Sequence, residues 1–299
     1  MGITTPVAAA LLAVYIFWGG TYLAMKFAIE TLPPFTMAGL RFVIAGAIMY
    51  VWQVAQGGER PQAIHWKNAA IVGGLLLLGG NGGVVWAEQL VSSGIAAIIV
   101  ATVPLWMALL SWLWQGGKRP GSMVLFGLVL GLVGIILLVK GSGGEAADTA
   151  EMWFGYAILL FAAISWAAGS LYSRVAKLPS APFMSIALQM LTGGLCCLLA
   201  GLVTGEWTSL DFSQVSTRSL LSVGYLIFFG SIIAFSAYIW LLKKADPTLV
   251  STYAYVNPVV AVLLGWAFAG EQMSLQSALA ATIILAAVII ITKASTRKP

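Results

Sequence analysis

The residues able to do chemistry are few, and most stand apart from one another. The only histidine, His65, sits beside Trp66 and Lys67 in a polar stretch. A serine or cysteine nucleophile needs an imidazole within reach inside the same protected site. A pair of catalytic aspartates is equally unsupported, because Asp148, Asp211 and Asp246 all fall in polar segments between long apolar runs. No group of His, Cys and carboxylates has the spacing of metal ligands. Cys196 and Cys197 are adjacent, unsuited to an ordinary structural bridge, and read as small packing residues. These features predict a chain that is no enzyme and has no catalytic residues, metal or cofactor.

Inside the apolar runs the polar groups are mostly amides, hydroxyls and aromatic rings. Asn81 stands between Gly79-Gly80 and Gly82-Gly83. Glycines around one amide let backbones approach closely or let the helix open toward a ligand; the plainer alternative is tight packing with Asn81 bonded to a neighbouring helix. Asn257 precedes Pro258, and Pro104 holds the matching place in the first half. Each proline removes a helical donor and frees a carbonyl four residues back, on Val100 or Ala254. Both are therefore candidate hinges, with a static kink as the alternative. Trp18, Tyr22, Trp166, Tyr238 and Tyr253 supply flat rings with polar tips, suited to a solute with an apolar or aromatic part. Trp86, Thr102, Trp106 and Ser231 complete the candidate binding set. Trp112, Trp114 and Trp153 lie near segment ends, where an interfacial belt is expected.

The elements that must position these groups are membrane helices. Of the 299 residues, 60% are apolar and only 8% charged, and the mean hydropathy is +0.96. A soluble domain carries about 25% charged residues, so a water-soluble enzyme, a disordered chain and a nucleic-acid binder are excluded. Ten apolar stretches run near 7–29, 35–55, 69–90, 94–115, 122–140, 152–173, 181–203, 219–241, 247–269 and 274–292. Each is close to the roughly 20 residues that cross a hydrocarbon core. Alternation at every second position is absent, which favours helices over a β-barrel. No Lys or Arg precedes the first run, so it reads as a retained helix rather than a secretory signal.

Charge sets the orientation. With the N-terminus cytoplasmic, Arg60, Lys67, Lys118, Arg119, Arg174, Lys177, Lys243, Lys244, Lys293, Arg297 and Lys298 share that side, against Lys26, Arg41, Lys140 and Arg218 on the other. That bias places both termini in the cytoplasm. The chain also reads as two repeats, 1–144 and 145–299. Trp18-Gly19-Gly20-Thr21-Tyr22-Leu23 matches Trp166-Ala167-Ala168-Gly169-Ser170-Leu171, and Pro34-Phe35 matches Pro182-Phe183, at a shared offset of 148. Trp86, Pro104, Trp112 and Gly116 match Trp240, Pro258, Trp266 and Gly270 at an offset of 154. Five segments per half is an odd number, so the second half enters from the opposite side, an arrangement common among transporters with midplane binding sites.

Ionisable residues at mid-depth are costly and mark function, and this sequence shows almost none. Glu30, Glu88, Glu151 and Glu271 fall near segment ends. Arg41 lies about two turns into the second segment and Lys26 near the outer end of the first. Both have two readings: interfacial snorkelling, or an electropositive outer vestibule. A path without a deep carboxylate disfavours cationic solutes and proton coupling, and a path without deep basic residues disfavours phosphates. Net-neutral or zwitterionic solutes fit best, moving down their own gradient. Gly127 and Gly131 form a Gly-xxx-Gly pair suited to inner packing or to a dimer interface.

In these stretches the chain resembles the drug/metabolite transporter superfamily, specifically its EamA-type exporters. The resemblance is carried by Trp18 to Leu23, by Gly79-Gly80-Asn81-Gly82 through Trp86-Ala87-Glu88, and by Ser93 to Pro104. The second half contributes Gly224-Tyr225 through Gly230-Ser231, and Thr252 to Pro258 continuing to Gly270-Glu271. Family members often carry an acidic residue after the fourth helix, where this chain has Gly116-Gly117-Lys118. The resemblance implies an all-α polytopic protein of the bacterial inner membrane with ten transmembrane helices in two inverted five-helix repeats. It further implies helices 1–4 and 6–9 around a central cavity, helices 5 and 10 at the periphery, and export of small metabolites, often amino acids, by alternating access. The expected partners are a small-molecule substrate and the lipid bilayer, with no nucleic acid, in a monomer or homodimer. Proton-coupled drug efflux and a structural or lipid-handling membrane protein are the alternatives.

Overall fold

A computed structural model describes residues 4–58, 60–91, 93–116, 119–140, 150–268 and 275–296. The longer elements are α1 (Thr5–Ala28), α2 (Pro34–Ala55), α3 (Ala63–Ala87), α4 (Ser93–Val100), α5 (Val103–Trp114), α6 (Ser122–Lys140), α7 (Ala150–Val175) and α8 (Pro182–Val203). After the short α9 (Glu206–Ser209) follow α10 (Thr217–Lys244), α11 (Pro247–Val250), α12 (Tyr253–Phe268) and α13 (Leu275–Thr296). Among the described residues, nine helical runs are long and apolar enough to cross a membrane, and Ser122–Leu138 is a shorter apolar helix. The described residues contain helices and no strands.

Local sequence explains the helix boundaries. Pro34, Pro104, Pro182 and Pro247 each stand in the first turn of a helix, where the missing N–H is not needed. Asp246 caps α11 by accepting from Thr248 N at 2.8 Å. His65, the lone histidine, does a related job: its Nδ1 accepts from the backbone N–H of Gln62 at 3.2 Å and closes the start of α3.

Packing relies on close backbone approach. α2 and α8 lie along one another, and a Cβ on Gly46 would sit 2.8 Å from Leu191 N. α6 pairs with α13, and both meet α12 in a lateral cluster built from Leu128, Ile135, Tyr255, Val259, Ile284 and Ile291. Here Gly127 faces Ile291 and Gly131 faces the Tyr255 ring, so this Gly-xxx-Gly pair serves packing inside the chain. The main core brings together α1, α2, α3, α5, α7, α8, α10, α11 and α12. Outward, large apolar side chains such as Ile16, Val51, Phe126, Phe161, Leu199 and Ile289 are exposed, as a lipid-facing surface requires.

Two helices widen in their middles. Gly74–Gly82 of α3 and Leu226–Phe235 of α10 are π-helical. Their backbone hydrogen bonds span five residues instead of four, a feature that recurs at functional sites. Side chains of neighbouring helices bond the carbonyls of these stretches: Ser165 Oγ donates to Leu75 O at 2.8 Å, and Trp18 Nε1 to Gly230 O at 2.9 Å.

The two prolines differ from the matched hinges that their sequence positions suggest. Pro104 opens α5 just after a break at Ala101-Thr102, whereas Pro258 lies inside the continuous α12. The break before α12 falls earlier, at Ser251-Thr252, where Thr252 Oγ1 turns back to Leu249 O at 2.7 Å.

Candidate functional site

The helices border a partly open cavity whose lining is mostly apolar with a few polar groups, the make-up of small-molecule sites. α1 contributes Trp18, Thr21 and Met25; α2 contributes Arg41 and Phe42; α3 contributes Leu77, Gly80, Asn81 and Val84. Val100 and Val103 flank the break between α4 and α5. Ala162, Ala163 and Trp166 come from α7, Gly230 and Phe235 from α10, and Tyr253 and Asn257 from α12. Both π-helical stretches therefore line it.

One wall is an aromatic cluster drawn from four helices. Trp18 meets Trp166 edge to face with centroids 5.7 Å apart, and Tyr253 in the same manner at 4.9 Å. Tyr238 lies behind them, 5.1 Å from Trp18 and 5.6 Å from Trp166. Its hydroxyl accepts from Trp166 Nε1 at 2.9 Å and pairs with Ser170 Oγ at 2.6 Å. Trp18 is held through its Nε1 by the Gly230 carbonyl. Each indole N–H has a partner within the protein, which sets the orientation of its ring in the wall.

The polar groups of the cavity are less complete. Asn81 Oδ1 and Asn257 Oδ1 are buried and without a hydrogen-bond partner, and so is Arg41 Nη1. Buried polar atoms normally find partners, and exceptions need an explanation. The Arg41 Nε donates to Ser231 Oγ at 2.9 Å, and the guanidinium lies 4.4 Å from the centroid of the Phe42 ring. Of the two readings open for Arg41, snorkelling requires an exposed guanidinium, whereas this residue is only 4% exposed. The interior is not free of charge, and the expectation of no deep basic group is corrected here.

Of the residues singled out from sequence, Trp18, Asn81, Trp166, Tyr253 and Asn257 line the cavity. Tyr238 and Ser231 are fully buried behind it and hold Trp166 and Arg41. Trp86, Thr102 and Trp106 are not among the lining residues. Trp86 stacks edge to face on Phe154, and Thr102 is occupied by Ile99 O and the Trp106 Nε1. The Tyr22 and Lys26 side chains, and Gly270 and Glu271, lie outside the described residues. Sequence reasoning passed over Thr21, Met25, Phe42 and Phe235, ordinary members of apolar helices. The signal for Arg41 was its depth: an arginine two turns inside an apolar helix.

Both ends of the bundle are tied. At the end where α1 finishes, Glu206 receives the backbone N–H of Phe35 at 3.0 Å and of Thr36 at 2.8 Å, a carboxylate on a helix N-terminus. Gly205, with φ 79°, makes the turn that returns Glu206 to that place. Thr31 Oγ1 donates to Ser219 Oγ at 2.8 Å, and Arg218 reaches Glu30 at 3.6 Å. At the opposite end, Asn68 Nδ2 donates to Lys177 O at 2.9 Å; nearer mid-height on α1, Tyr15 OH pairs with Thr252 Oγ1 at 2.6 Å.

Residues 5–140 and 153–293 each match the EamA-like transporter family. The chain is 42% identical over 288 residues to the uncharacterized inner membrane transporter YedA of Escherichia coli (strain K12), spanning 96% of this chain and 90% of that one. The uncharacterized transporter YoaV of Bacillus subtilis (strain 168) is 26% identical, with 92% of each chain aligned. A protein known from a crystal structure superposes with a TM-score of 0.80 at 22% identity over 97% of both chains, a likeness of fold.

Proposed function

Because the chain belongs to the EamA-like transporter family and is a multi-pass inner membrane protein, we propose that it exports small zwitterionic metabolites, amino acids first among them, through the central cavity. The observation that carries this reading is the pair of unpartnered amide oxygens, Asn81 Oδ1 and Asn257 Oδ1, in a cavity with an aromatic wall. An ammonium group is the donor that two such acceptors favour, and the rings of Trp18, Trp166 and Tyr253 accommodate an apolar or aromatic side chain.

Alternating access rests on the two halves. The family match falls twice on the chain, and the π-helical stretches of α3 and α10 hold corresponding places in the two halves. Inverted five-helix repeats, with α4 and α5 together forming one crossing and α6 and α13 at the periphery, give ten crossings and cytoplasmic termini. The breaks before Pro104 and at Ser251-Thr252 are the places where helices bend without losing a continuous ladder. The lining residues include no carboxylate, which favours movement down the substrate gradient over proton-coupled efflux of cations.

The test is counterflow of labelled L-phenylalanine and L-leucine in proteoliposomes, beside a cationic dye, with and without a pH gradient. Amino-acid flux without a gradient, lowered at least about tenfold by Trp18→Ala, is expected. Dye flux alone, or strict dependence on the pH gradient, overturns the reading.

A further inference from the structure

We propose that Arg41 is the carboxylate-binding subsite of this cavity, so that the solute it recognises carries a carboxylate group. The inference rests on the transporter reading above and makes it more specific. Arg41 is 4% exposed, lies in an apolar helix and lines the cavity. Its contacts are with a serine hydroxyl through Nε and with the face of Phe42, and Nη1 has no hydrogen-bond partner. A guanidinium has five donors in a planar fork and cannot shed its charge, so burying it with donors unspent is costly unless an anion completes it. The planar fork matches a carboxylate in two parallel hydrogen bonds.

The neighbourhood is built to aim that group. Ser231 and Gly230 are consecutive on the π-helical stretch of α10. Ser231 Oγ holds the Arg41 Nε while the Gly230 carbonyl holds the Trp18 indole. One short piece of backbone thus sets both the cation and the principal ring of the aromatic wall. The absence of a side chain at Gly230 matters here, because a Cβ would lie 3.0 Å from Thr21 Cγ2 and 3.6 Å from Arg41 Nη2. With the carboxylate at Arg41, an α-ammonium is offered the amide oxygens of Asn81 and Asn257, which line the same cavity and lack partners. A cation beside two neutral acceptors is the complement of a zwitterion.

The experiment is titration of the purified full-length protein in detergent with L-phenylalanine, L-phenylalanine methyl ester and 3-phenylpropionate, read by microscale thermophoresis. In the unaltered protein, L-phenylalanine binds at least about tenfold more tightly than its ester, because the ester cannot accept a charge-assisted fork. Arg41→Gln weakens L-phenylalanine by about tenfold or more and leaves ester binding within about threefold; Arg41→Lys, keeping charge without the fork, falls between. Ester binding as tight as that of L-phenylalanine in the unaltered protein overturns the inference even where Arg41→Gln does not fold, and leaves the amino-acid reading standing. Equal weakening of acid and ester by Arg41→Gln also overturns it, since that is the mark of a structural role. Failure of all three compounds to bind the unaltered protein overturns the amino-acid reading itself.

Discussion

Two asparagines, Asn68 buried and Asn81 half-buried, have opposite accounts. Asn68 spends both ends of its amide, donating to Lys177 O and accepting from Tyr172 OH at 3.0 Å. Asn81 leaves its Oδ1 unpartnered in the cavity. Asn68→Ala is therefore expected to destabilise the protein by about 1–3 kcal/mol through lost and orphaned hydrogen bonds. Asn81→Ala is expected to leave stability within about 0.5 kcal/mol and to lower amino-acid flux instead. Thermal stability in detergent beside proteoliposome flux separates the two; a large stability loss with unchanged flux for Asn81→Ala removes it from the site. Residue type alone could not make this distinction. From sequence, Asn81 had a binding reading and a packing reading, and only the positions of its neighbours decide which atoms are left over.

At the scale of elements, the π-helical stretches matter most. They lay hidden in continuous apolar runs, because a run of leucines and glycines is compatible with either hydrogen-bond pattern. α3 passes close to α7 at its π-helical stretch, and a Cβ on Gly80 would sit 2.7 Å from Trp166 Cε3. Gly80→Ala must push the Trp166 ring out of the cavity wall. Flux is expected to fall about tenfold or more while expression persists, a cost of the kind seen when well-packed positions are overfilled. Gly224→Ala is the control: nothing lies within 4 Å of a Cβ there, and the helix gains in propensity. Equal effects of the two substitutions, measured by flux at matched protein levels, argue against Trp166 as a wall of the site. The helix limits themselves were legible. Predicted stretches such as 35–55 and 181–203 meet Pro34–Ala55 and Pro182–Val203, because the prolines and the hydropathy mark the same boundaries.

For the whole molecule, the prediction concerns sides. If both termini are cytoplasmic, the end of α10 faces the cytoplasm and the turn around α9 faces outward. Lys244 and Thr208 are exposed at these two places. Lys244→Cys should react with a membrane-impermeant maleimide only in inverted vesicles, and Thr208→Cys in intact cells, above the level of the native cysteines, of which Cys197 is buried. The reverse pattern would overturn the orientation inferred from the positive-inside count.

What the sequence determined by itself is the property that adds up along the chain. Apolar length, the placing of Lys and Arg between apolar runs, the similarity of the Trp18 and Trp166 segments and the lack of deep carboxylates could all be read without coordinates. Which face of each helix turns inward is a different kind of quantity. In water an apolar stripe announces its core face, but in lipid the outside of a helix is as apolar as the inside. Rotation about the helix axis is then set by packing: by Gly46 against Leu191, by Gly80 against Trp166, and by Ser231 against Arg41. That rotation turned Trp86, Thr102 and Trp106 toward other partners and, of the two readings open for Arg41, set aside interfacial snorkelling by placing it in the cavity. Tertiary structure alone decided this, because only neighbouring helices can tell one apolar face from another.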